Sequence, residues 1–308
     1  MTPKVFVTGA SGFVGRAVVQ ELLGRGYLVH ALVHRRPLEQ ADERVKICAG
    51  GLFELAALAE AVNGCAAVIH LAGIIMENAE EGITFERVHV EGTRNVVAAA
   101  VKARARRFVQ MSALGSRPGA TTEYHRTKFA AEQVVRGSGL DWTIVRPSLI
   151  HGPGSDFMRR EARWSRHTAA PFLFMPYFGA GPLGCRTAGR LQPIYVGDVA
   201  RAIVDAMENP QHVGEVHLLG GPDTVTWPDL HHICSAAIAG SPHLALPIPA
   251  WYGRLMSNIL PPALLPFNHD MVEMSQEDNT CDLTKFKARF GWEPRTLEAT
   301  LREYARQL

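Results

Sequence analysis

Tyr124 and Lys128, four apart in Tyr124-His125-Arg126-Thr127-Lys128, are the residues best suited to acid–base chemistry in this chain. On a helix that spacing puts both side chains on one face. A free phenol, with a pKa of about 10, is a poor acid–base at neutral pH. An ammonium one turn away favours the phenolate and lowers that pKa. The pair then suits proton transfer to or from a carbinol oxygen, coupled to hydride transfer. Ser112 closes the apolar run Phe108-Val109-Gln110-Met111, where its hydroxyl can donate a hydrogen bond to the same oxygen. Taken alone, a Tyr and a Lys at this spacing are surface neighbours. A hydride carrier is what would make them a site.

The chain opens on a stretch that fits such a carrier, Thr8-Gly9-Ala10-Ser11-Gly12-Phe13-Val14-Gly15. It follows Val5-Phe6-Val7 and leads into Arg16-Ala17-Val18-Val19, so it reads as strand, glycine turn and helix. Bare backbone N–H groups at a helix N-terminus bind phosphate. Gly9 makes the tight turn, Gly12 lets a pyrophosphate approach, and Gly15 lets the helix pack close on the strand. Thr8, Ser11, Phe13 and Val14 complete the candidate contacts. The second strand, Tyr27 to Val33, ends in His34-Arg35-Arg36, where a ribose-reading acid would stand. Arginines there pair with a 2′-phosphate, which favours NADP(H) and leaves NAD(H) as the alternative. Arg16 can assist from the helix start. The run Ala66 to Leu71 ends in Ala72-Gly73, and Leu71, Ala72 and Gly73 leave room for a cofactor ribose.

These pieces need a frame, and the apolar periodicity supplies one. Strands at 45–48, 66–71, 108–111 and 142–145 alternate with helices at 52–62, 85–104 and 124–135. That is an α/β chain, a Rossmann doubly wound parallel sheet, over residues 1–150. Residues 193–220 return to the sheet with one more strand and helix. Residues 151–192 and 221–308 form a smaller C-terminal substrate-binding or cap region. With 308 residues, 47% of them apolar, the chain can bury a large core. A net charge of +2 and the lack of any nucleic-acid motif argue against nucleic acid as partner. Five scattered cysteines without a C-x-x-C pair read as reduced, mostly buried thiols, and the 13 histidines show no metal spacing. The first strand starts too early for a signal peptide, and no run is long and apolar enough to span a bilayer. A cytoplasmic location is the expectation.

Taken together, TGASGFVG at 8–15, HLAG at 70–73, VEGTRN at 90–95, Ser112, YHRTK at 124–128, RPSLIHGPG at 146–154 and PIYVGDVARAI at 193–203 resemble the short-chain dehydrogenase/reductase superfamily. The resemblance is to its extended or atypical branch. SALG at 112–115 and LDWTIVRPSLIHGPG at 140–154 are similar to the group around the nucleotide-binding accessory subunit of respiratory complex I. It implies that Gly9, Gly12 and Gly15 hold the pyrophosphate, and that Ser112 orients a carbonyl. Tyr124 is then the acid–base, and Lys128 lowers its pKa and binds the nicotinamide ribose. Arg146, Pro147 and Ser148 are carried over as cofactor contacts. A homodimer packed through four helices is common in the family. His89 replaces an Asn that anchors a relay water, Gly51 an Asp that meets adenine, and Gly197 an Asp.

Two function classes follow. One is an NADP(H)-dependent oxidoreductase, epimerase or dehydratase acting on a small-molecule carbonyl or hydroxyl. The other is a non-catalytic NADPH-binding accessory, assembly or sensor protein touching a respiratory complex or the face of the inner membrane. Arg159, Arg160, Arg163 and Arg166 suit one basic helical face, an anion clamp or simply solvated. His231-His232 reads as an ordinary pair. Leu244 to Phe267, with Trp251, Tyr252, Leu255, Met256, Ile259, Leu260, Leu264 and Leu265, reads as a lid packed on its own domain, with a membrane contact as the alternative.

Overall fold

The computed structural model describes residues 3–38, 42–186, 188–260, 265 and 267–308. Two compact units divide the chain: Met1–Pro147, Val196–Leu219 and Thr284–Trp292 in the first, and Ser148–Tyr195, Gly220–Leu283 and Glu293–Leu308 in the second.

The first unit is a sheet of seven parallel strands. They are β1 (Lys4–Thr8), β2 (Leu28–Val33), β3 (Val45–Ala49), β4 (Ala67–His70), β5 (Arg107–Met111), β6 (Asp141–Pro147) and β10 (Glu215–Leu219), in the order β10-β6-β5-β4-β1-β2-β3. The central strands are near-continuous apolar runs because both faces are covered. Phe6, Val68 and Phe108 meet Leu58, Val96 and Val135 of α2 (Leu55–Val62), α3 (Gly92–Lys102) and α4 (Glu123–Arg136). The opposite face takes α1 (Phe13–Gly24), packed on α6 (Val196–Glu208). Strand order reverses between β1 and β4, where ligands bind in such sheets.

Three expectations shift. The helix expected over 85–104 is a π-helical turn, Glu86–Glu91, followed by α3. The Thr93 hydroxyl donates to the His89 carbonyl at 2.5 Å, inside the helix ladder. Residues 192–195 do not rejoin the central sheet: β9 (Ile194–Tyr195) pairs with β7 (Ile150–His151) in a ladder of its own within the second unit. The C-terminal region is not one cap either, since α10 (Thr284–Phe290) and Trp292 belong to the first unit. Lys285 Nζ donates to Glu215 at 2.7 Å, and the Trp292 indole to Asp205 at 2.8 Å.

The second unit builds its core from Met158, Leu230, Cys234, Leu297 and Leu301. These lie on α5 (Asp156–Ser165), α7 (Trp227–Ala239) and α11 (Leu297–Tyr304). A second ladder pairs β8 (Met175–Gly179) with β11 (Ala245–Pro249), flanked by α8 (Ala250–Ile259) and α9 (His269–Gln276). Within α8 only Ala250 and Gly253 are buried, and a Cβ at Gly253 would lie 2.6 Å from the Phe178 ring. The helix sits so close on its small residues that Trp251, Tyr252, Leu255 and Ile259 stay exposed, which the lid reading did not anticipate. Leu264 lies outside the described residues. Cys65 and Cys234 are buried, Cys48 and Cys281 half-buried, and Cys185 is exposed. Among the described residues no helix is long and apolar enough to cross a membrane.

Candidate functional site

The glycine turn is held by backbone geometry. Gly9 takes a left-handed φ of +68°, and a Cβ there would meet the Ala72 amide at 2.9 Å. A Cβ on Gly15 would lie 2.0 Å from the Gly9 carbonyl oxygen, so helix and turn meet there without room for a methyl. Gly12 is the N-cap of α1, and no side chain caps that helix. Its first-turn amides are thus not met by a capping side chain and suit an anion.

Above this turn lies a cavity of about 510 Å³ in the first unit. Of the expected residues, Gly9, Ser11, Gly12, His34, Arg35, Arg36, Ala72 and Gly73 line it. Thr8, Phe13, Val14, Gly15 and Leu71 do not. The Thr8 hydroxyl sits 2.5 Å from His70 Nδ1 and accepts the Ala72 N–H at 3.3 Å, tying the ends of β1 and β4 together. Arg35 pairs with Glu81 at 2.5 Å, both largely exposed, while Arg16 donates to the Ser11 carbonyl at 2.9 Å. Leu52, Phe53, Glu54, Ile83, Arg87 and Val88 also line the cavity, and sequence reasoning missed them. The signal was present: Gly50-Gly51 closes β3 as Ala72-Gly73 closes β4. Arg87 stacks over the Phe53 ring at 4.6 Å. The Gly51 amide donates to Glu54 at 3.1 Å, so a carboxylate stands beside the position where the family has its Asp.

Ser112, Tyr124 and Lys128 gather in the same unit. Thr122 caps α4, its hydroxyl accepting the His125 N–H at 3.3 Å, and this fixes where Tyr124 begins the helix. Lys128 is buried and donates to the Met111 carbonyl at 3.2 Å. A Cβ on Gly73 would lie 3.0 Å from Lys128 Nζ and 3.5 Å from His89 Nε2. The ammonium therefore flanks the cavity wall, and a side chain at 73 would have to push it aside. Ser112 is buried with its hydroxyl 3.2 Å from that of Ser116.

The electrostatics correct one expectation. Burial pushes the Tyr124 phenol up to about 12, where proximity to Lys128 was expected to lower it. The rings of Phe85, His89 and His125 surround it at 5.2–5.8 Å and strip water from a phenolate. Burial also brings Lys128 down to about 8, against a smaller opposing pull from Glu132. Desolvation first, and the Lys128 charge second, bring His89 down to about 2 and His70 to about 3, so both are neutral. His89 is fully engaged: Nδ1 lies 2.9 Å from the Thr127 hydroxyl, and Nε2 3.1–3.2 Å from Ile74 backbone atoms.

The last expected contacts are spoken for. Arg146 makes a bidentate pair with Glu132, at 2.7 and 2.6 Å, because a fully buried carboxylate requires a countercharge. Nε and Nη2 of the guanidinium are both taken up by that carboxylate. Pro147 ends β6 and accepts the Leu114 N–H at 2.9 Å. Ser148 belongs to the second unit, its hydroxyl 2.5 Å from Asn279. Arg159, Arg163 and Arg166, spread along α5 to its C-cap, are exposed, while Arg160 is half-buried over the Trp164 ring.

Residues 5–220 match the family described as NAD dependent epimerase/dehydratase. A ceramide reductase of Caulobacter vibrioides is 31% identical over 243 residues, 78% of this chain and 72% of that protein. Subunit 9 of the NADH dehydrogenase (ubiquinone) 1 alpha subcomplex of Mus musculus is 27% identical, over 81% of this chain and 66% of its own length. Two solved structures each cover 99% of both chains with a TM-score of 0.74. They are MoeE5 in complex with UDP-glucose and NAD, at 22% identity, and the UDP-glucose 4-epimerase of Thermotoga maritima, at 21%. At those identities the likeness is one of fold. The glycine turn, the cavity above it and the family match agree: this chain belongs to the NAD dependent epimerase/dehydratase family, in the extended branch of the short-chain dehydrogenases/reductases.

Proposed function

We propose that the protein is an NADP(H)-dependent carbonyl reductase that uses Ser112, Tyr124 and Lys128. The observation that carries this is Lys128 Nζ lying against Gly73, on the wall of the cavity that the glycine turn opens. Bound coenzyme supplies the hydride. The amides at the start of α1 hold its pyrophosphate, Arg36 meets the 2′-phosphate, and Glu54 accepts from the adenine amine in place of an acid at 51. Ser112 donates to the substrate oxygen. Tyr124, held protonated at neutral pH, gives its proton to that oxygen as negative charge develops. Lys128 is the positive charge that steadies the phenolate left behind.

Tyr124→Phe tests it: turnover with NADPH on an aldehyde and ketone panel falls about 100-fold or more, while NADPH affinity stays within about twofold. Unchanged turnover rules the assignment out. A second reading, NADPH binding without turnover beside a membrane or a respiratory complex, draws on the exposed Trp251, Tyr252, Leu255 and Ile259 of α8. It is favoured if wild-type protein carries NADPH yet reduces no carbonyl.

A further inference from the structure

The second unit turns rings inward and apolar chains outward. Inside, Phe157, Trp164, Tyr177 and Trp227 wall a cavity of about 250 Å³, and His231, on the same wall, pairs with Glu161 at 2.9 Å. Outside, α8 reverses the usual order of a surface helix. Trp251, Tyr252, Leu255 and Ile259 fall on one helical stripe about 100° wide. A surface helix normally hides such a stripe in the core. Here the stripe is exposed, and the small residues Ala250 and Gly253 are buried instead.

The neighbouring segments continue the apolar surface. The Trp251 indole donates to the Pro182 carbonyl at 2.9 Å, and the next residue, Leu183, is 77% exposed. β11, which leads into α8, follows Leu244 and carries Leu246, and both are exposed. His243 stacks on His167 at 4.7 Å, His167 Nδ1 lies 2.6 Å from the Phe172 carbonyl, and Phe172 and Leu173 are exposed as well.

Charge decides what fits this surface. Residues 162–197 and 241–269, which carry all of these side chains, contain no Asp or Glu, but do contain Arg163, Arg166, Arg186, Arg190 and Arg254. Arg254 is taken up by Glu273 of the neighbouring α9. Arg163, Arg166 and Arg186 are exposed, and no ion pair is drawn to them among the described residues. A second copy of this chain would set the same basic rim against itself across a two-fold interface. Anionic lipid head groups answer it, and Trp and Tyr suit the level where head groups meet acyl chains.

We propose that the second unit docks on an anionic bilayer through the outer face of α8. Trp251, Tyr252, Leu255 and Ile259 enter the boundary between head groups and acyl chains, and Arg186, three residues past Leu183, lies among the phosphates. α8 lies flat and does not cross, since its 10 residues span about 15 Å, half the hydrocarbon thickness. The proposal takes up the membrane contact of the second reading above, yet holds whether or not Tyr124 turns over a substrate.

Flotation of the whole protein with vesicles of phosphatidylcholine, alone or with phosphatidylglycerol added, tests it. At about 0.1 M salt the anionic vesicles bind about tenfold or more tighter than the neutral ones. Leu255→Gln with Ile259→Gln, both exposed in the folded chain, weakens that binding about tenfold and leaves NADPH affinity and thermal midpoint unchanged. Arg186→Gln costs about fivefold on anionic vesicles and nothing on neutral ones. Acyl chains brominated near the head group quench the tryptophan fluorescence of the wild type. Trp251→Phe, which keeps an apolar ring, still binds but loses most of that quenching. The proposal is overturned if the wild type does not float with anionic vesicles, if the Gln pair floats as well as the wild type, or if binding comes without quenching. It is equally overturned if the protein is a dimer that the Gln pair makes monomeric, because a second copy then covers the face. Carbonyl turnover, measured on the same preparations, tests the catalytic reading separately.

Discussion

In the first unit the cavity walls include bare backbone at Gly9, Gly12, Gly51 and Gly73; in the second they are rings at Phe157, Trp164, Tyr177 and Trp227. The two surfaces select differently. Open amides and a helix N-terminus attract an anion of fixed geometry and tolerate no added atom. Rings select by shape, and they can repack. A methyl group is therefore ruinous in one cavity and minor in the other.

Gly15→Ala should break that contrast if it is false, and its effect is the largest expected. The new Cβ would stand 2.0 Å from the Gly9 oxygen and 2.7 Å from that of Ala10, both backbone atoms without a rotamer to change. The turn must open, so coenzyme binding is lost, with a stability cost on the order of 3 kcal/mol.

Lys128→Met sharpens the comparison through pH. Burial holds the Lys128 ammonium at about 8, below its ordinary 10.5. Between those values the unfolded chain binds a proton that the folded chain has released. Stability owed to Lys128 is therefore complete above pH 10.5 and lost as pH falls through about 8. The wild-type protein should gain about 2 to 3 kcal/mol relative to Lys128→Met on going from pH 8 to pH 10. Denaturant midpoints along that range measure it. Above pH 10 the raised phenol of Tyr124 acts in the opposite sense, so the comparison stops there. A flat difference would mean that the ammonium keeps its water.

The same contrast explains what could be read from the chain. Gly9, Gly12 and Gly15 are legible because one local element dictates all three, through a left-handed φ and two close approaches. The parallel sheet is legible because strands buried on both faces are written as apolar runs. Lys128 was placed by helix spacing, yet the sign of the Tyr124 shift was not, because three rings from other positions in the chain surround the phenol. The π-helical turn at Glu86–Glu91 was missed for a similar reason: its trace is one hydroxyl, Thr93, bonded inside the ladder. The second cavity was illegible, since its walls come from α5, β8 and α7, each unremarkable alone. Its polar pair joins residues 70 apart, so His231 looked ordinary and Glu161 drew no notice.

Arg36→Ala asks how far side chains refine a backbone site, with the smallest expected effect of the three. Arg35 and Arg36 both line the first cavity, but Arg35 is already drawn to Glu81 at 2.5 Å. A 2′-phosphate would have to compete with that carboxylate for Arg35. No ion pair is drawn to Arg36 among the described residues, so its guanidinium can turn to the phosphate without losing a partner. An exposed Arg–phosphate pair contributes about 1 to 1.5 kcal/mol at moderate salt, which is roughly tenfold in affinity. Arg36→Ala should therefore weaken NADPH about tenfold and leave NADH within about twofold, and Arg35→Ala should do less. Titration with both coenzymes at two salt concentrations separates the cases. Should NADH fall as far as NADPH, the arginine acts on the pyrophosphate common to both, and its proposed contact with a 2′-phosphate is ruled out.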